Sequence, residues 1–186
     1  MKYLLSVLLL GAALAPLQAK AADAPAFAPQ PAYDNNSGIY LRGDIGGSYL
    51  NWGSANTPWA FVGDAGVGYQ FDQNYRADVT YDRSGNYGVA PGGTVSTSLL
   101  MGNFYYDFKN SSAFTPYIGA GAGYGWQYGS GTAVNDQGVA LGLAAGVSYA
   151  MTNNLAVDVG YRFHDILGAT QSTPEHQVAV GLRLKF

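Results

Sequence analysis

The sequence contains no cysteine, and only 11% of its 186 residues are charged. Without disulfide bonds, an exported chain must obtain its stability elsewhere. Soluble domains usually carry charge on about a quarter of their residues. Beyond the N-terminal segment, the longest apolar run is VALGLAAGVSYAM at 139–151, which has 13 residues, whereas a spanning helix needs about 20. The chain therefore has too little charge for an ordinary soluble surface and no helix of membrane length.

The N-terminus has the pattern of a secretory signal peptide. Lys2 precedes the apolar run YLLSVLLLGAALAPL, and the small residues of AKA follow, which is the succession that export signals share. A transmembrane anchor is the alternative, but Pro16 and Gln18 interrupt a run that is already shorter than about 20 residues. We therefore predict a signal peptide over 1–21, with cleavage after Ala21.

Removal of this segment changes the charge balance. It leaves 165 of the 186 residues, and because Lys2 and Lys20 are lost, the basic residues fall from 9 to 7 against 12 acidic ones, a formal net charge of −5. That length suits one domain, and an acidic chain lacks the basic surface that nucleic acid requires. We predict no nucleic-acid partner, a flexible Pro- and Ala-rich periplasmic linker over 22–37, and a folded domain over 38–186.

Alternation with a period of two runs through that domain. Successive side chains of a β-strand point to opposite faces, and eight segments have strand character and at least the ~9–11 residues of a tilted transmembrane strand. A closed β-barrel is the structure that lets such a chain cross a bilayer, because all backbone groups must be paired internally. We therefore predict an all-β, eight-stranded antiparallel transmembrane β-barrel. The predicted strands are 38–50, 59–71, 75–84, 94–108, 114–127, 137–150, 155–165 and 175–186.

The connections between these segments alternate in length. Asn-, Asp- and Ser-rich stretches of the kind that form tight turns alternate with longer polar or Gly-rich stretches. Outer-membrane barrels have short periplasmic turns and longer extracellular loops, so the pattern also predicts the orientation of the chain. The predicted turns are 72–74, 109–113 and 151–154, and the predicted loops are 51–58, 85–93, 128–136 and 166–174.

Charged residues within the strands fall almost entirely on one face. With the apolar face towards lipid, they line the lumen, where five basic and six acidic groups come close to balance. Asn103, Tyr105 and Tyr117 are assigned to the same side. The predicted lumen charge network consists of Arg42, Asp44, Asp64, Arg76, Asp78, Asp82, Asp107, Asp158, Arg162, Arg183 and Lys185.

Aromatic residues concentrate near the ends of the strands, which is typical of the two girdles at the interfaces of a membrane barrel. The predicted inner girdle contains Tyr69, Phe71, Tyr75, Tyr106, Phe108, Phe114, Tyr149 and Phe186, and the outer girdle contains Tyr49, Trp52, Trp59, Tyr81, Tyr124, Trp126 and Phe163. The alternative is a soluble eight-stranded barrel with its apolar face turned inward. That alternative explains neither the aromatic clusters nor the terminal Phe186.

The search for catalytic chemistry yields one weak candidate. His164 and Asp165 could act as base and orienting group beside a loop serine such as Ser172, but strand ends near loops commonly carry such residues without catalysis, and no characteristic spacing supports a triad. Two histidines without cysteine make a transition-metal site unfavourable. Glycines at 119–125 alternate along a strand and do not complete a dinucleotide fingerprint. They give that strand one bare face, which suits a crowded lumen or a strongly coiled strand. We predict no catalytic, metal-binding or cofactor-binding residues.

Five stretches of the chain together resemble the small outer-membrane β-barrel proteins grouped with the opacity porins, in particular the porin-like surface antigens of Gram-negative bacteria. They are YLRGDIGGSY (40–49), MGNFYYDF (101–108), TPYIGAGAGYG (115–125), VDVGYRFHDI (157–166) and HQVAVGLRLKF (176–186). The resemblance implies an eight-stranded barrel in the outer membrane and recognition of the last strand by the barrel-assembly machinery. The residues that would carry this assembly signal are Val178, Val180, Leu182, Leu184 and Phe186.

Two classes of function follow. We favour a structural, surface-exposed outer-membrane protein that contributes to envelope integrity and displays its loops, in contact with outer-membrane lipid and lipopolysaccharide. A narrow porin-like channel or transport protein is the alternative, and a lipid-modifying outer-membrane enzyme is a remote one. The loops contain no charge cluster that identifies a host or surface ligand.

Overall fold

The computed structural model describes residues 37–51, 55–133, 135–167 and 173–186, and these form ten β-strands. Five strands belong to the N-terminal half: β1 (Gly38–Leu50), β2 (Ala55–Thr57), β3 (Trp59–Gln70), β4 (Tyr75–Ser84) and β5 (Tyr87–Val89). The others are β6 (Gly93–Asp107), β7 (Phe114–Ser130), β8 (Asp136–Ala150), β9 (Leu155–Leu167) and β10 (Glu175–Lys185). The predicted signal peptide and all but the last residue of the predicted linker lie outside the described residues, so both remain predictions.

Eight of the strands close into a ring. The antiparallel order is β6, β4, β3, β1, β10, β9, β8 and β7, and a pairing between β7 and β6 closes it. The first and last strands meet along their whole length, from Tyr40 opposite Lys185 to Leu50 opposite Glu175. The prediction of an eight-stranded antiparallel barrel is confirmed.

The three predicted turns lie between strands as expected, at 71–74, 108–113 and 151–154. Local side-chain bonds fix them. The carboxylate Oδ1 of Asp72, for example, accepts hydrogen bonds from the backbone N–H groups of Asn74 and Tyr75, at 2.8 and 2.9 Å. This is the way in which Asp commonly stabilises a tight turn.

The predicted loops were too long, because backbone pairing continues beyond the alternating segments. β7 extends to Ser130, where the prediction ended at 127, and β9 extends to Leu167, where it ended at 165. Two short strands, β2 and β5, lie within the predicted loops at 51–58 and 85–93, where they pair with each other and extend the sheet from β6. Pairing of this kind uses backbone groups, so a Gly-rich stretch can form it without an alternating pattern. Gly92 closes the tight turn between β5 and β6 with a φ of 117°.

The two faces of the barrel wall differ in polarity. Apolar side chains point outward, as in Ile45 at 63% exposure and Phe61 at 65%, whereas the alternate positions carry charges that are buried in the lumen. Outward apolar residues would contact water in a soluble barrel, so this arrangement rules out the inverted, soluble alternative. None of the described residues belongs to a helix that is long and apolar enough to cross a membrane.

Outward aromatic rings form two bands. In the inner band, Tyr106 contacts both Tyr75 and Phe108, with ring centroids 5.3 and 4.9 Å apart. In the outer band, Tyr49 contacts Trp59 at 5.0 Å. Edge-to-face contacts of this type are the favoured geometry for aromatic pairs. Trp52, which was assigned to the outer band, lies outside the described residues.

Candidate functional site in the barrel lumen

The lumen contains all eleven residues of the predicted charge network. Each has at most 9% of its surface exposed, and Arg76 has none. They come from six of the eight ring strands, with none on β7 or β8. An unpaired charge in such a place is costly to desolvate, so the partners of these groups determine what the lumen can do.

The centre of the network is a chain of ion pairs across the barrel. Arg162 on β9 contacts Asp64 at 2.5 Å and Asp44 at 3.3 Å. Asp44 also pairs with Arg42 on its own strand, and Arg42 reaches Asp78 at 3.2 Å. Four strands, β1, β3, β4 and β9, are therefore linked through their side chains as well as through their backbones.

Aromatic and amide groups extend this central chain. Asp78 accepts hydrogen bonds from the hydroxyl of Tyr40 at 3.0 Å and from the amide Nδ2 of Asn103 at 2.8 Å. The hydroxyl of Tyr105 accepts a bond from Arg42 at 3.0 Å. Bonds to charged groups are stronger than neutral ones, so these three polar side chains help to hold the arginine and aspartate in place.

The periplasmic end of the lumen has its own pairs. Arg76 contacts Asp107 at 3.1 Å, and its guanidinium lies 4.1 Å from the ring centroid of Tyr105. Arg183 reaches Asp158 at 3.3 Å and donates a hydrogen bond to Ser148. Lys185, also from the predicted set, is buried in this region. Tyr105 therefore contacts arginines of both levels, Arg76 through its ring and Arg42 through its hydroxyl.

A third polar cluster, near the outer end, was not predicted as a unit. Glu175 is 2% exposed, and its partners are hydroxyl and amide groups rather than an arginine. Thr97 donates to its Oε1 at 2.6 Å, and Gln177 approaches its Oε2 at 3.4 Å. Gln177 also approaches Asp82 at 3.4 Å, and Asp82 takes part in no ion pair among the described residues. The alternation that places Arg183 and Lys185 in the lumen continues through Gln177 to Glu175, and this signal could have identified the cluster.

The middle of the wall formed by β7 and β8 carries only glycine and alanine on its lumen face, at alternate positions over 119–125 and 138–146. Gly121 lies against the amide oxygen of Asn103, and Gly119 lies against the ring of Tyr105. A Cβ on Gly123 would collide with the backbone oxygen of Leu100 and lie 2.8 Å from the Cα of Met101. The alternating glycines therefore provide the space that side chains and backbone of the neighbouring strand β6 occupy.

Side chains of the described residues fill much of the lumen. Leu99, Met101, Ala140 and Ile166 form a buried apolar cluster, in which Leu99 is the ladder partner of Asp82. A cavity of about 10 Å³ lies beside this cluster and is lined in part by Met101, Asp82, Arg162 and His164. This is roughly the space that one water molecule needs.

The weak catalytic candidate does not assemble. His164 is buried in the lumen, and the next residue, Asp165, points to the other face of β9. Ser172 lies outside the described residues. Within residues 37–51, 55–133, 135–167 and 173–186, no group of three or more potential ligand side chains could hold a metal ion.

The residues proposed as an assembly signal line the outside of β10. Val178, Val180, Leu182 and Leu184 are between 42% and 61% exposed, and each faces away from the lumen. Phe186 follows the strand with 68% of its surface exposed, and its backbone N–H donates to the carbonyl of Ile39 at 2.9 Å. The ring is therefore held at the inner edge of the β1–β10 seam.

An eight-stranded antiparallel barrel with an apolar outer wall and a filled, charged lumen has the architecture of an outer-membrane barrel. The chain belongs to the outer membrane protein beta-barrel domain family, whose family model matches residues 6–186. The family places the protein in the outer membrane of Gram-negative bacteria, as predicted.

Individual relatives agree with this assignment. Outer membrane protein PagN of Salmonella typhimurium is 26% identical over 175 residues, which cover 68% of this chain and 73% of that protein. Opacity protein opA67 of Neisseria gonorrhoeae is 30% identical over 131 residues, 50% of this chain and 56% of its own. The predicted resemblance to opacity proteins is confirmed.

Solved structures share the fold. Neisserial surface protein A superposes with a TM-score of 0.69 at 24% identity, over 81% of this chain and 99% of that one. The outer membrane enzyme PagL gives a TM-score of 0.50 at 16% identity, over 79% and 99%. At these identities the similarity concerns the barrel and not its chemistry.

Proposed function

We propose that the protein is a structural, surface-exposed outer-membrane barrel that contributes to envelope integrity and displays its loops, without forming an open pore. The observation that carries this proposal is the burial of the whole charge network. A water-filled channel would leave charged lumen side chains accessible, whereas here each is at most 9% exposed. An eight-stranded barrel has an interior just wide enough for side chains to fill.

Planar-bilayer recording tests the absence of a pore. The folded protein, inserted from mild detergent, is expected to give no stable conductance steps. A matched preparation of Asp64→Ala/Arg162→Ala, which removes the central ion pair, tests whether that pair is what fills the lumen. Large, reproducible steps from the unmodified protein would overturn the proposal and favour the channel alternative.

A deletion strain tests the envelope role. Loss of the protein is expected to increase sensitivity to detergent, and the unmodified gene is expected to restore resistance. The Asp64→Ala/Arg162→Ala variant should restore it only to the extent that the barrel accumulates in the membrane. If the deletion instead slowed uptake of small solutes and left detergent sensitivity unchanged, transport would be the better explanation.

We also propose that the outward face of β10 and Phe186 form the signal that the barrel-assembly machinery reads. The alternating apolar residues and the exposed ring support this proposal, since neither contributes to the packing of the lumen. Burial of such a ring in the interface would contribute about 1–2 kcal/mol. That is too little to prevent folding if anchoring were its only role.

Deletion of Phe186 separates the two roles. We expect membrane levels of assembled protein to fall severalfold, while the same variant still refolds from urea into detergent with a small loss of stability. Phe114→Ala, which removes another exposed ring of the inner band, is the matched control and should leave assembly unchanged. Normal membrane levels without Phe186 would show that this residue acts only as an anchor.

A further inference from the structure

Arg83 differs from every other arginine of the described strands. Arg42, Arg76, Arg162 and Arg183 are buried in the lumen, whereas Arg83 is exposed on the outer wall of β4. A cation on the lipid-facing side of a barrel is expensive near the membrane midplane but costs little near the interfaces. The distance of Arg83 from the membrane midplane therefore determines the cost of placing its charge on the outer wall.

Arg83 lies at the level of the outer headgroups. It is eight residues beyond Tyr75, a member of the inner aromatic band, on the same strand. A rise of about 3.4 Å per residue and a tilt of about 40° place it about 20 Å above that band. Since the apolar belt of such a barrel is about 25 Å tall, the guanidinium is near the outer edge of the belt, within reach of lipid phosphates.

Neighbouring side chains hold the guanidinium in one orientation. Its Nη1 donates to the hydroxyl oxygen of Ser98 at 2.8 Å, and the hydroxyl of Tyr81 donates to the same oxygen at 3.2 Å. The guanidinium carbon lies 5.3 Å from the centroid of the Tyr128 ring. Arginine has five N–H donors, and one bond to Ser98 leaves most of them for another acceptor.

The wall beside Arg83 is open. Its partner across the β3–β4 ladder is Gly63, which carries no side chain, and a Cβ there would come no closer than 3.7 Å to its nearest neighbour. The exposed ring of Phe61 lies two residues along β3. Ser98, the partner on β6, is small and already bonded. A ligand group can therefore approach the guanidinium from the side of β3.

The charge of Arg83 is not neutralised within the described part of the chain. No ion pair found there includes it. Of the nine basic residues in the sequence, Lys2 and Lys20 precede the described residues, five face the lumen, and Lys109 lies in a periplasmic turn. Among the described residues, Arg83 is thus the one arginine or lysine exposed at the outer end of the wall.

We propose that Arg83, Ser98, Tyr81 and Tyr128 form a binding site for a phosphate group of an outer-leaflet glycolipid. The planar guanidinium can bind phosphate oxygens through two parallel N–H bonds, the two hydroxyl groups fix it, and the aromatic rings border the sugar or acyl region. The proposal depends on the outer-membrane location of the barrel and not on its role in envelope integrity.

Native mass spectrometry of the folded barrel in an uncharged detergent tests this site. Bisphosphorylated lipid A and the same lipid after removal of its phosphates serve as probes. The unmodified protein is expected to bind the phosphorylated form about tenfold more tightly, as one charge-assisted contact predicts. Arg83→Gln should abolish that preference. Arg83→Lys keeps the charge but not the two parallel N–H donors of the guanidinium, and it should retain part of the preference.

Lys109→Gln is the matched control, since it removes one positive charge at the opposite end of the barrel and should keep the full preference. Migration on unheated gels shows that each variant is folded, and Ser98→Ala tests the same site if Arg83→Gln does not fold. The proposal would be overturned if Lys109→Gln lost the preference for phosphorylated lipid A as fully as Arg83→Gln does. It would also be overturned if a folded Arg83→Gln kept that preference unchanged. The proposal would also be overturned if inorganic phosphate alone bound with the same dependence on Arg83, because that result would indicate a general anion site rather than a lipid site.

Discussion

The two sides of the lumen are built differently. β1, β3, β4, β9 and β10 contribute the arginines and most of the aspartates, whereas β7 and β8 present glycine and alanine over most of their lumen positions. An eight-stranded barrel has room for about one layer of side chains. Large side chains on one side therefore require small residues on the other. The glycines and alanines of β7 and β8 are needed for the packing of the lumen as much as the charged residues are.

The difference also separates two kinds of interaction. On the charged side, buried arginines and aspartates need each other, because either one alone would be an uncompensated buried charge. On the bare side, the backbone of β7 itself forms the packing surface, with Gly123 in contact with the backbone of β6. The first arrangement is sensitive to the loss of atoms and the second to their addition.

The largest effect is expected from the charged side. Arg162→Ala leaves Asp64 without an ion-pair partner and Asp44 with Arg42 alone, and we expect a loss of about 3–5 kcal/mol in the free energy of unfolding. Urea titration of the barrel in detergent, followed by tryptophan fluorescence, measures it. Arg83→Ala, which removes an exposed arginine, is the control and should cost less than about 1 kcal/mol. Equal losses in the two variants would show that the lumen pair has no special role.

Addition of one methyl group on the bare side should have the next largest effect. Gly123→Ala places a carbon against the backbone of Leu100 and Met101, and the overpacking is expected to cost about 1–3 kcal/mol. Gly102→Ala is the matched control, because Gly102 faces outward and its added carbon would lie 3.7 Å from its nearest neighbour. The same urea titration compares them. If both variants were equally stable, the bare wall would not be needed for packing.

The smallest effect concerns the contact between the two sides. Tyr105→Phe keeps the ring that packs against Gly119 but removes the hydroxyl that accepts a bond from Arg42. A loss of about 1 kcal/mol is expected, with no change in the mobility of the folded band on unheated gels. Tyr105→Ala, which also removes the ring, should cost clearly more. If the two substitutions were equivalent, the hydroxyl rather than the ring would be the important group.

Much of this fold could be predicted from the sequence, because alternation reports directly which face of a strand a residue occupies. Arg162 and Asp158 were assigned to the lumen on that basis, and the structure places both there. Which residues pair depends on the stagger of distant strands, and the sequence does not contain that information locally. Asp82 was grouped with the arginines, yet its direct partner is Gln177 on β10.

Glycine was the least informative part of the pattern. A glycine has no side chain whose polarity could show its face, so the alternation weakened over β6 and β7. The spacing of Gly123 and its neighbours predicted a bare face, but not which atoms would lie against it. The same absence hid the open wall beside Arg83, since only the register shows that Gly63 is its neighbour. Backbone pairing in β2 and β5 was missed for a related reason, because it leaves no mark in side-chain periodicity.

The pairing of β1 with β10 has a consequence for the order in which the barrel can form. Arg162 meets Asp44 and Asp64 over separations of 118 and 98 residues, so these pairs cannot exist until late in the process. Until these strands come together, the same arginines and aspartates lack their partners, and a charge that is buried without a partner is costly to desolvate. Arg162 on β9 reaches Asp44 on β1 across the strand β10, so we expect closure of the β1–β10 seam to be the step that completes the ion pairs of the lumen.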